Sequence, residues 1–302
     1  MELFVAPWLL AIVAPPVLHG DPRLLVAPWW TTWRIDPTVG IGSLGLAAAY
    51  LIWTGPLNRK RPDAAERTLT PGQRIAFLLG CLTLLIALGP PIEDWAQLLL
   101  TGHMVQHLLL TMVVPPLLLF GTPAWLLRPL LRYPLVARAG YVLTRPVVAL
   151  GLSGLAFIIW HLPRFYDAAL ASEPIHIAEH QIYLVTGILA WWPLLGPLPE
   201  WPRPAPLLQC LYLAAQTLPG GIVGSFITVA EPGLYRAYSD VPRMWGLDLA
   251  TDQEIAGLLM WVGANAIYLL LITIIFFRWA GREDEAERGP ARSSSGERAT
   301  RY

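Results

Sequence analysis

The chain has 302 residues, of which 55% are apolar and only 14% are charged. A soluble domain carries about 25% charged residues, so this composition argues against an ordinary soluble protein and indicates one that resides in a membrane. The formal net charge is zero, which argues against nucleic acid as a partner.

Residues 1–32 open with an apolar stretch, Leu3–Leu18, which Pro15 and Pro16 interrupt. This stretch is short for a membrane span, which needs about 20 apolar residues. It has the length of a signal-peptide core, but a basic start and a small-residue cleavage site are missing. A cleaved signal, an uncleaved anchor and an interfacial segment, each followed by an external linker, all stay open.

Seven apolar segments of roughly membrane-spanning length follow within residues 33–280. We therefore predict an all-α, polytopic membrane protein built as a seven-transmembrane-helix bundle. The segments are Val39–Leu57, Ile75–Ile92, Leu98–Phe120, Val147–Leu162, Ile177–Leu195, Leu207–Ala230 and Ile255–Phe277. We expect kinks at Pro115-Pro116 in the third and at Pro219 in the sixth. Residues 281–302 are rich in Arg, Glu and Ser, and we predict a disordered cytoplasmic tail.

Basic residues are distributed unevenly between alternate connections of these segments. Sixteen of the 21 Lys and Arg residues fall in the connections 58–74, 121–146 and 196–206 and in the tail from Arg278. Lys and Arg concentrate on the cytoplasmic side of a membrane protein. The asymmetry therefore predicts a multi-pass protein of a bacterial plasma membrane, surrounded by lipid, with its C-terminus in the cytoplasm.

All the histidines fall on the outer side in this orientation. His103 and His107 are four residues apart in the outer half of the third span, so they share one helix face. His161 ends the fourth span, and His176 and His180 open the fifth with the same spacing. Polar groups at membrane depth are costly unless they face the bundle and find partners. We therefore expect His103 or His107 to lie within about 10 Å of His161 or His180, the distance between neighbouring helix axes.

These five histidines are candidate metal ligands, because imidazole is a common ligand of copper, zinc and iron. Met104 could add a thioether, which favours Cu(I). Gln106 and Glu179 lie beside the histidines and could orient the imidazoles through their second nitrogen. The alternative is structural: methionine fills gaps in packing, and a membrane histidine often makes only an interhelical hydrogen bond.

Asp252 opens the seventh span on the same side and has two interpretations. It could be an auxiliary residue of the histidine site. It could also belong to a helix start, because Thr251 and Glu254 have the spacing of a capping box. The chain has no GxSxG, P-loop or HExxH motif, so we do not expect an enzyme.

Four motifs occur together in this order: HMVQH with the Pro-Pro pair after it, WHLPRFYDAAL, HIAEH and DQEIAGLLMW, which lie in His103–Pro123, Trp160–Leu170, His176–Leu195 and Asp252–Trp261. With the entry to the first span at Trp33–Pro37, they resemble the CtaG family of cytochrome c oxidase assembly factors, the membrane-integral type associated with caa-type oxidases. The resemblance implies a seven-helix plasma-membrane protein that matures the oxidase, with oxidase subunits as partners and a role in copper supply. By motif position, the five histidines would be its conspicuous polar residues.

Other interpretations of the same residues stay open. Histidines on different helices could be axial ligands of a b-type haem. The chain could be a metal-free scaffold for oxidase subunits, with Tyr166 and Tyr235–Tyr238 in the outer loops as partner contacts or interfacial anchors. An ion transporter with kinked helices is a fourth possibility, but the inner half of the spans holds few charged groups.

Overall fold

The computed structural model describes residues 36–60, 67–201 and 203–296, with side chains up to residue 286. The predicted apolar segment at 1–32 lies outside the described residues. In the described part the secondary structure is helical throughout, which confirms the all-α fold class.

Six of the thirteen α-helices in the described part of the chain begin at a proline, whose fixed φ and missing N–H suit the first turn. In chain order the α-helices are α1 (Pro37–Ile52), α2 (Pro71–Ala87), α3 (Ile92–Leu98), α4 (Leu100–Leu108), α5 (Val114–Gly121), α6 (Ala124–Leu127), α7 (Pro134–Leu143), α8 (Pro146–Trp160), α9 (Pro163–Ala171), α10 (Glu173–Leu195), α11 (Pro206–Val229), α12 (Leu249–Leu258) and α13 (Ala264–Gly296). Short 3₁₀ turns occupy Arg128–Arg132, Arg236–Tyr238 and Met244–Gly246.

Three π-helical turns extend or join these helices. Trp53–Leu57 continues α1, Leu109–Val113 joins α4 to α5, and Leu259–Gly263 joins α12 to α13. The π-helical turn Leu109–Val113 ends two residues before Pro115, where the sequence predicts a kink. A proline has no N–H to continue the regular hydrogen-bond ladder, so an irregular turn is expected near this position. Pro219 lies inside α11, which runs unbroken from Pro206 to Val229.

Helices cover all seven predicted segments to within a few residues. Among the described residues, five helical stretches are long and apolar enough to cross a membrane: Pro37–Leu57, Pro71–Leu98, Leu100–Gly121, Pro206–Val229 and Leu249–Ala286. A sixth span results if α7 and α8, which meet at 73°, are taken together. The helix α10 is not among the five, because glutamates and histidines make its first half polar. The count of seven spans therefore stays a prediction.

The last membrane helix differs from its prediction at both ends. It begins with α12 at Leu249, and the side chain of Asp248 accepts a hydrogen bond from the Thr251 backbone N–H at 2.9 Å. The interpretation of Thr251 as the capping residue is therefore wrong, because Asp248 supplies the acceptor one helical turn earlier. At the other end α13 continues to Gly296, so the domain boundary predicted at residue 280 does not coincide with a helix end.

The helices pack through small residues as well as apolar ones. Gly224 of α11 crosses Gly257 of α12 so closely that a Cβ atom on Gly257 would lie 2.7 Å from the Gly224 carbonyl oxygen. Small residues allow such close approach, which drives helix association in lipid through van der Waals contact. This crossing holds α12 against the bundle at the end where the histidines lie.

Candidate metal centre

The helices α4, α8 and α10 bring the five histidines into one cluster. The rings of His103 and His107 are 4.2 Å apart between centroids, and so are those of His176 and His180. Both pairs therefore share a helix face, as the spacing of four residues predicts. His161 follows the last residue of α8.

The two pairs and His161 face each other across the helix interfaces. The His107 ring lies 5.5 Å from that of His180 and 6.0 Å from that of His161, between centroids. The His103 ring lies 5.3 Å from that of His176 and 6.1 Å from that of His180. The expected convergence of the third, fourth and fifth predicted spans is confirmed.

A carboxylate completes the cluster. Glu179 of α10 has 0% of its surface exposed, and one of its oxygens lies 3.8 Å from Nε2 of His107. His103, His176, Glu179 and His180 each offer one ligand atom, and these four atoms lie within 4.8 Å of one another. Four donors at such distances could hold a metal ion, with His107 beside them, since its Nε2 is 2.8 Å from that of His103.

Many polar atoms of this cluster have no hydrogen-bond partner among the described residues. They are His107 Nδ1, His161 Nε2, His176 Nε2, His180 Nε2 and both carboxylate oxygens of Glu179. A buried polar atom normally has a partner, and its absence costs about 1–3 kcal/mol. One cation can satisfy imidazole lone pairs and carboxylate oxygens together, so this donor set fits a metal ion.

Hydrogen bonds fix which nitrogen of two histidines carries the proton. Nδ1 of His161 is 2.7 Å from the Phe157 carbonyl oxygen, which can only accept, so Nδ1 is protonated. Burial raises the pKa of Tyr238 well above its ordinary value, so its hydroxyl keeps the proton. That proton is donated to the Ala96 carbonyl at 2.8 Å, so the Tyr238 oxygen accepts from His103 Nδ1 at 3.0 Å. Nε2 of His161 therefore carries a lone pair directed at the cluster, and Nε2 of His103 accepts from the Nε2–H group of His107 at 2.8 Å.

Buried tyrosines surround the histidines. Tyr166, Tyr183, Tyr235 and Tyr238 are each only 1% exposed. The Tyr183 hydroxyl lies 3.1 Å from Nδ1 of His161, and the Tyr235 hydroxyl donates to the His161 carbonyl at 2.9 Å. From the sequence, Tyr166 and Tyr235–Tyr238 are expected to be interfacial anchors or partner contacts, and no sequence pattern indicates Tyr183. The structure places all of them inside the protein, against the candidate ligands.

Two of the residues predicted to assist the histidines have other contacts. Met104 is 1% exposed and packs in an apolar cluster with Leu100 and Tyr166. Gln106 donates from its amide nitrogen to the Ala87 carbonyl at 2.9 Å and to the Glu93 carboxylate. Gln106 therefore directs its amide nitrogen at the α2–α3 connection, because its position on α4 faces that side.

Asp252 supports the centre indirectly. Its fully buried carboxylate accepts hydrogen bonds from the backbone N–H groups of Leu100 at 2.8 Å and Thr101 at 3.0 Å. These groups begin α4, where the first N–H groups of a helix have no partner inside the helix. Asp252 thus caps a helix that is distant in sequence, and that helix carries His103 and His107.

One comparison with known proteins identifies a family. The family model described as cytochrome c oxidase caa3 assembly factor matches residues 48–282. An uncharacterized protein of Mycobacterium leprae is 25% identical over 279 residues, which cover 86% of this chain and 41% of that protein. Uncharacterized proteins of Mycobacterium bovis and Mycobacterium tuberculosis are each 24% identical over 273 residues, covering 84% of this chain and 40% of theirs. The chain thus spans about two fifths of the length of these relatives, and no solved structure matches it.

Proposed function

The chain belongs to the cytochrome c oxidase caa3 assembly factor family, and we propose that it matures a respiratory oxidase by holding copper at the histidine cluster and passing it to an oxidase subunit. The observation that carries this proposal is a set of buried nitrogen and oxygen atoms that could ligate a metal and have no hydrogen-bond partner among the described residues. They belong to His107, His161, His176, His180 and Glu179. Copper is cargo in this function, so no catalytic residue is assigned.

The ligands that we propose are the imidazoles of His103, His107, His161, His176 and His180, with the Glu179 carboxylate among them. Neutral imidazole nitrogen suits copper. The carboxylate would place one negative charge next to the ion, and a buried charge needs such a partner because the interior solvates it poorly. The tyrosines would keep the imidazoles in ligand-ready tautomers and exclude water.

We further propose seven spans, with the cluster on the outer side of the plasma membrane and the C-terminus in the cytoplasm. The excess of basic residues in alternate connections supports this orientation. A reporter that is active only outside the cytoplasm should be silent when it is fused after Phe277. The same reporter placed in the connection 230–248 should be active. The opposite pair of results would reverse the orientation and move the histidine cluster to the inner side.

The test of the metal proposal is the double variant His103→Ala/His107→Ala. Alanine removes two ligands and adds no charge in lipid, so we expect normal accumulation in the membrane. The purified variant should retain no copper, and the oxidase should lack copper under copper-limited growth. His19→Ala, which changes the remaining histidine, is the matched control and should behave as wild type. A well-expressed double variant that supports normal oxidase copper content would refute the proposal and favour a metal-free scaffold.

The haem alternative is less well supported by the geometry. Axial imidazoles lie on opposite faces of a haem, with the macrocycle between them. Here the histidine rings of α4 and α10 lie 5.3–6.1 Å apart between centroids, and the buried side chains of Tyr166, Tyr183, Tyr235 and Tyr238 occupy the space around the histidines. We expect the purified protein to show no Soret absorption band, and a Soret band that disappears in the double variant would support haem instead.

A further inference from the structure

A pocket of different chemistry lies at the end of α8 opposite the histidines. His161 follows the C-terminus of α8, whereas Arg145 immediately precedes its N-terminus. The pocket has a volume of about 320 Å³ and lies between the α7–α8 corner, the end of α10 and the connection to α11. Two arginines and three large aromatic side chains line it: Arg145, Arg203, Tyr141, Trp192 and Trp201.

The two arginines have no acidic partner among the described residues. Arg203 donates from Nε and Nη2 to the Gly196 carbonyl at 3.2 and 3.0 Å, and the Arg145 guanidinium lies 5.1 Å from the centre of the Tyr141 ring. The nearby carboxylate of Glu200 is paired with Arg128 instead. Two positive charges that line one pocket repel each other, and an anion between them would relieve that repulsion.

The indole group of Trp192 adds an unused donor on the same pocket wall. Its Nε1 is buried and has no acceptor among the described residues. Guanidinium groups bind phosphate oxygens in a bidentate manner, and indole N–H groups also donate to such oxygens. The pocket therefore combines hydrogen-bond donors and positive charge, and none of its described lining residues carries a carboxylate that would repel an anion.

We propose that this pocket binds the phosphate head group of an anionic phospholipid. Tyrosine and tryptophan mark the depth of the membrane–water interface, where lipid phosphates lie. Next to the pocket, Val147 is 81% exposed and Leu208 is 57% exposed. Acyl chains of a lipid whose phosphate occupies the pocket would cover these side chains, which a free phosphate would leave bare. Basic pockets between membrane helices bind acidic lipid head groups in this way.

The test compares lipid binding by the full chain with that of two double variants that lose the same charge. Arg145→Gln/Arg203→Gln removes both pocket arginines. Arg132→Gln/Arg138→Gln removes two exposed arginines that do not line the pocket. In nanodiscs of phosphatidylcholine with increasing phosphatidylglycerol, the thermal stabilisation by phosphatidylglycerol gives its apparent affinity. We expect the pocket variant to bind about 25-fold more weakly, from about fivefold for each arginine, and the control to stay within about threefold.

Other outcomes would overturn the proposal. An equal loss in both double variants would mean that only the overall basic charge attracts the lipid. Equal stabilisation by inorganic phosphate, added to protein in phosphatidylcholine nanodiscs, would identify a free anion as the occupant. Both variants must melt at the wild-type temperature in pure phosphatidylcholine. If the pocket variant does not, the single variants Arg145→Gln and Arg203→Gln decide: each should bind phosphatidylglycerol about fivefold more weakly, and unchanged affinity in both would overturn the proposal.

Discussion

Two glutamates at opposite ends of the bundle differ in their burial and in their partners. Glu179, among the histidines, is 0% exposed and has no hydrogen-bond partner among the described residues. Glu200, in the connection between α10 and α11, is 40% exposed in its side chain and lies 2.8 Å from Nε of Arg128. The negative charge of Glu200 is therefore balanced by Arg128 of the same chain. Glu179 has only neutral imidazoles beside it, so its negative charge must be neutralised by a proton or balanced by a bound cation.

The largest expected difference between the two ends is in copper binding by glutamine variants. Glu179→Gln keeps the shape but removes the negative charge beside the ion, so we expect copper affinity to fall by about 10- to 100-fold. Glu200→Gln should leave the affinity unchanged, because that carboxylate is distant and already paired. Competition with a calibrated copper chelator measures both values. Equal affinities for the two variants would remove Glu179 from the metal centre.

A smaller effect is expected at the hydroxyl that orients His103. Tyr238→Phe removes the oxygen that accepts from His103 Nδ1, so the ligand tautomer is no longer fixed and copper affinity should fall about tenfold. Tyr212→Phe is the matched control, since the Tyr212 hydroxyl donates to the Ala190 carbonyl away from the cluster. The chelator competition should show a loss for Tyr238→Phe alone. A loss of thermal stability in both variants without a change in affinity would make Tyr238 purely structural.

The smallest effect compares two capping aspartates. Asp252→Ala removes the acceptor from two backbone N–H groups of α4 and should lower the free energy of unfolding by about 2 kcal/mol. Asp248→Ala removes one exposed cap from α12 and should cost about 1 kcal/mol. Thermal unfolding in detergent ranks the two variants. A larger loss for Asp248→Ala would show that the cap of α4 is not important for the histidine end.

Local patterns in the sequence predicted the helices and the histidine pairs because both depend on short spacings. The spacing of four residues placed His103 beside His107 and His176 beside His180, and the basic asymmetry put all of them at one end. The same sequence patterns are also compatible with a fold in which α4 and α10 lie far apart. The convergence of the pairs therefore needed the tertiary structure as its confirmation.

The contacts that complete the centre are long-range and leave no local pattern. Tyr238 is 135 residues from His103, and Asp252 is 152 residues from Leu100. A capping motif was therefore assigned to Thr251 from its neighbours, although Asp252 caps a different helix. Gln106 was associated with the histidines because it lies between them in sequence, but adjacent residues on a helix point in different directions.

The π-helical turn Leu109–Val113 separates the rotational phase of α4 from that of α5. Successive residues of an α-helix are rotated by about 100°, and a π-turn accommodates additional chain within a continuous helix. Substitutions on the face of α4 that presents His103 and His107 can therefore occur independently of substitutions on the face of α5 that packs on α2. Substitutions inside the turn preserve this phase, whereas loss of one residue from it would rotate the histidines by about 100° relative to α5. Insertions and deletions should consequently be rarer in this turn, over evolutionary time, than replacements.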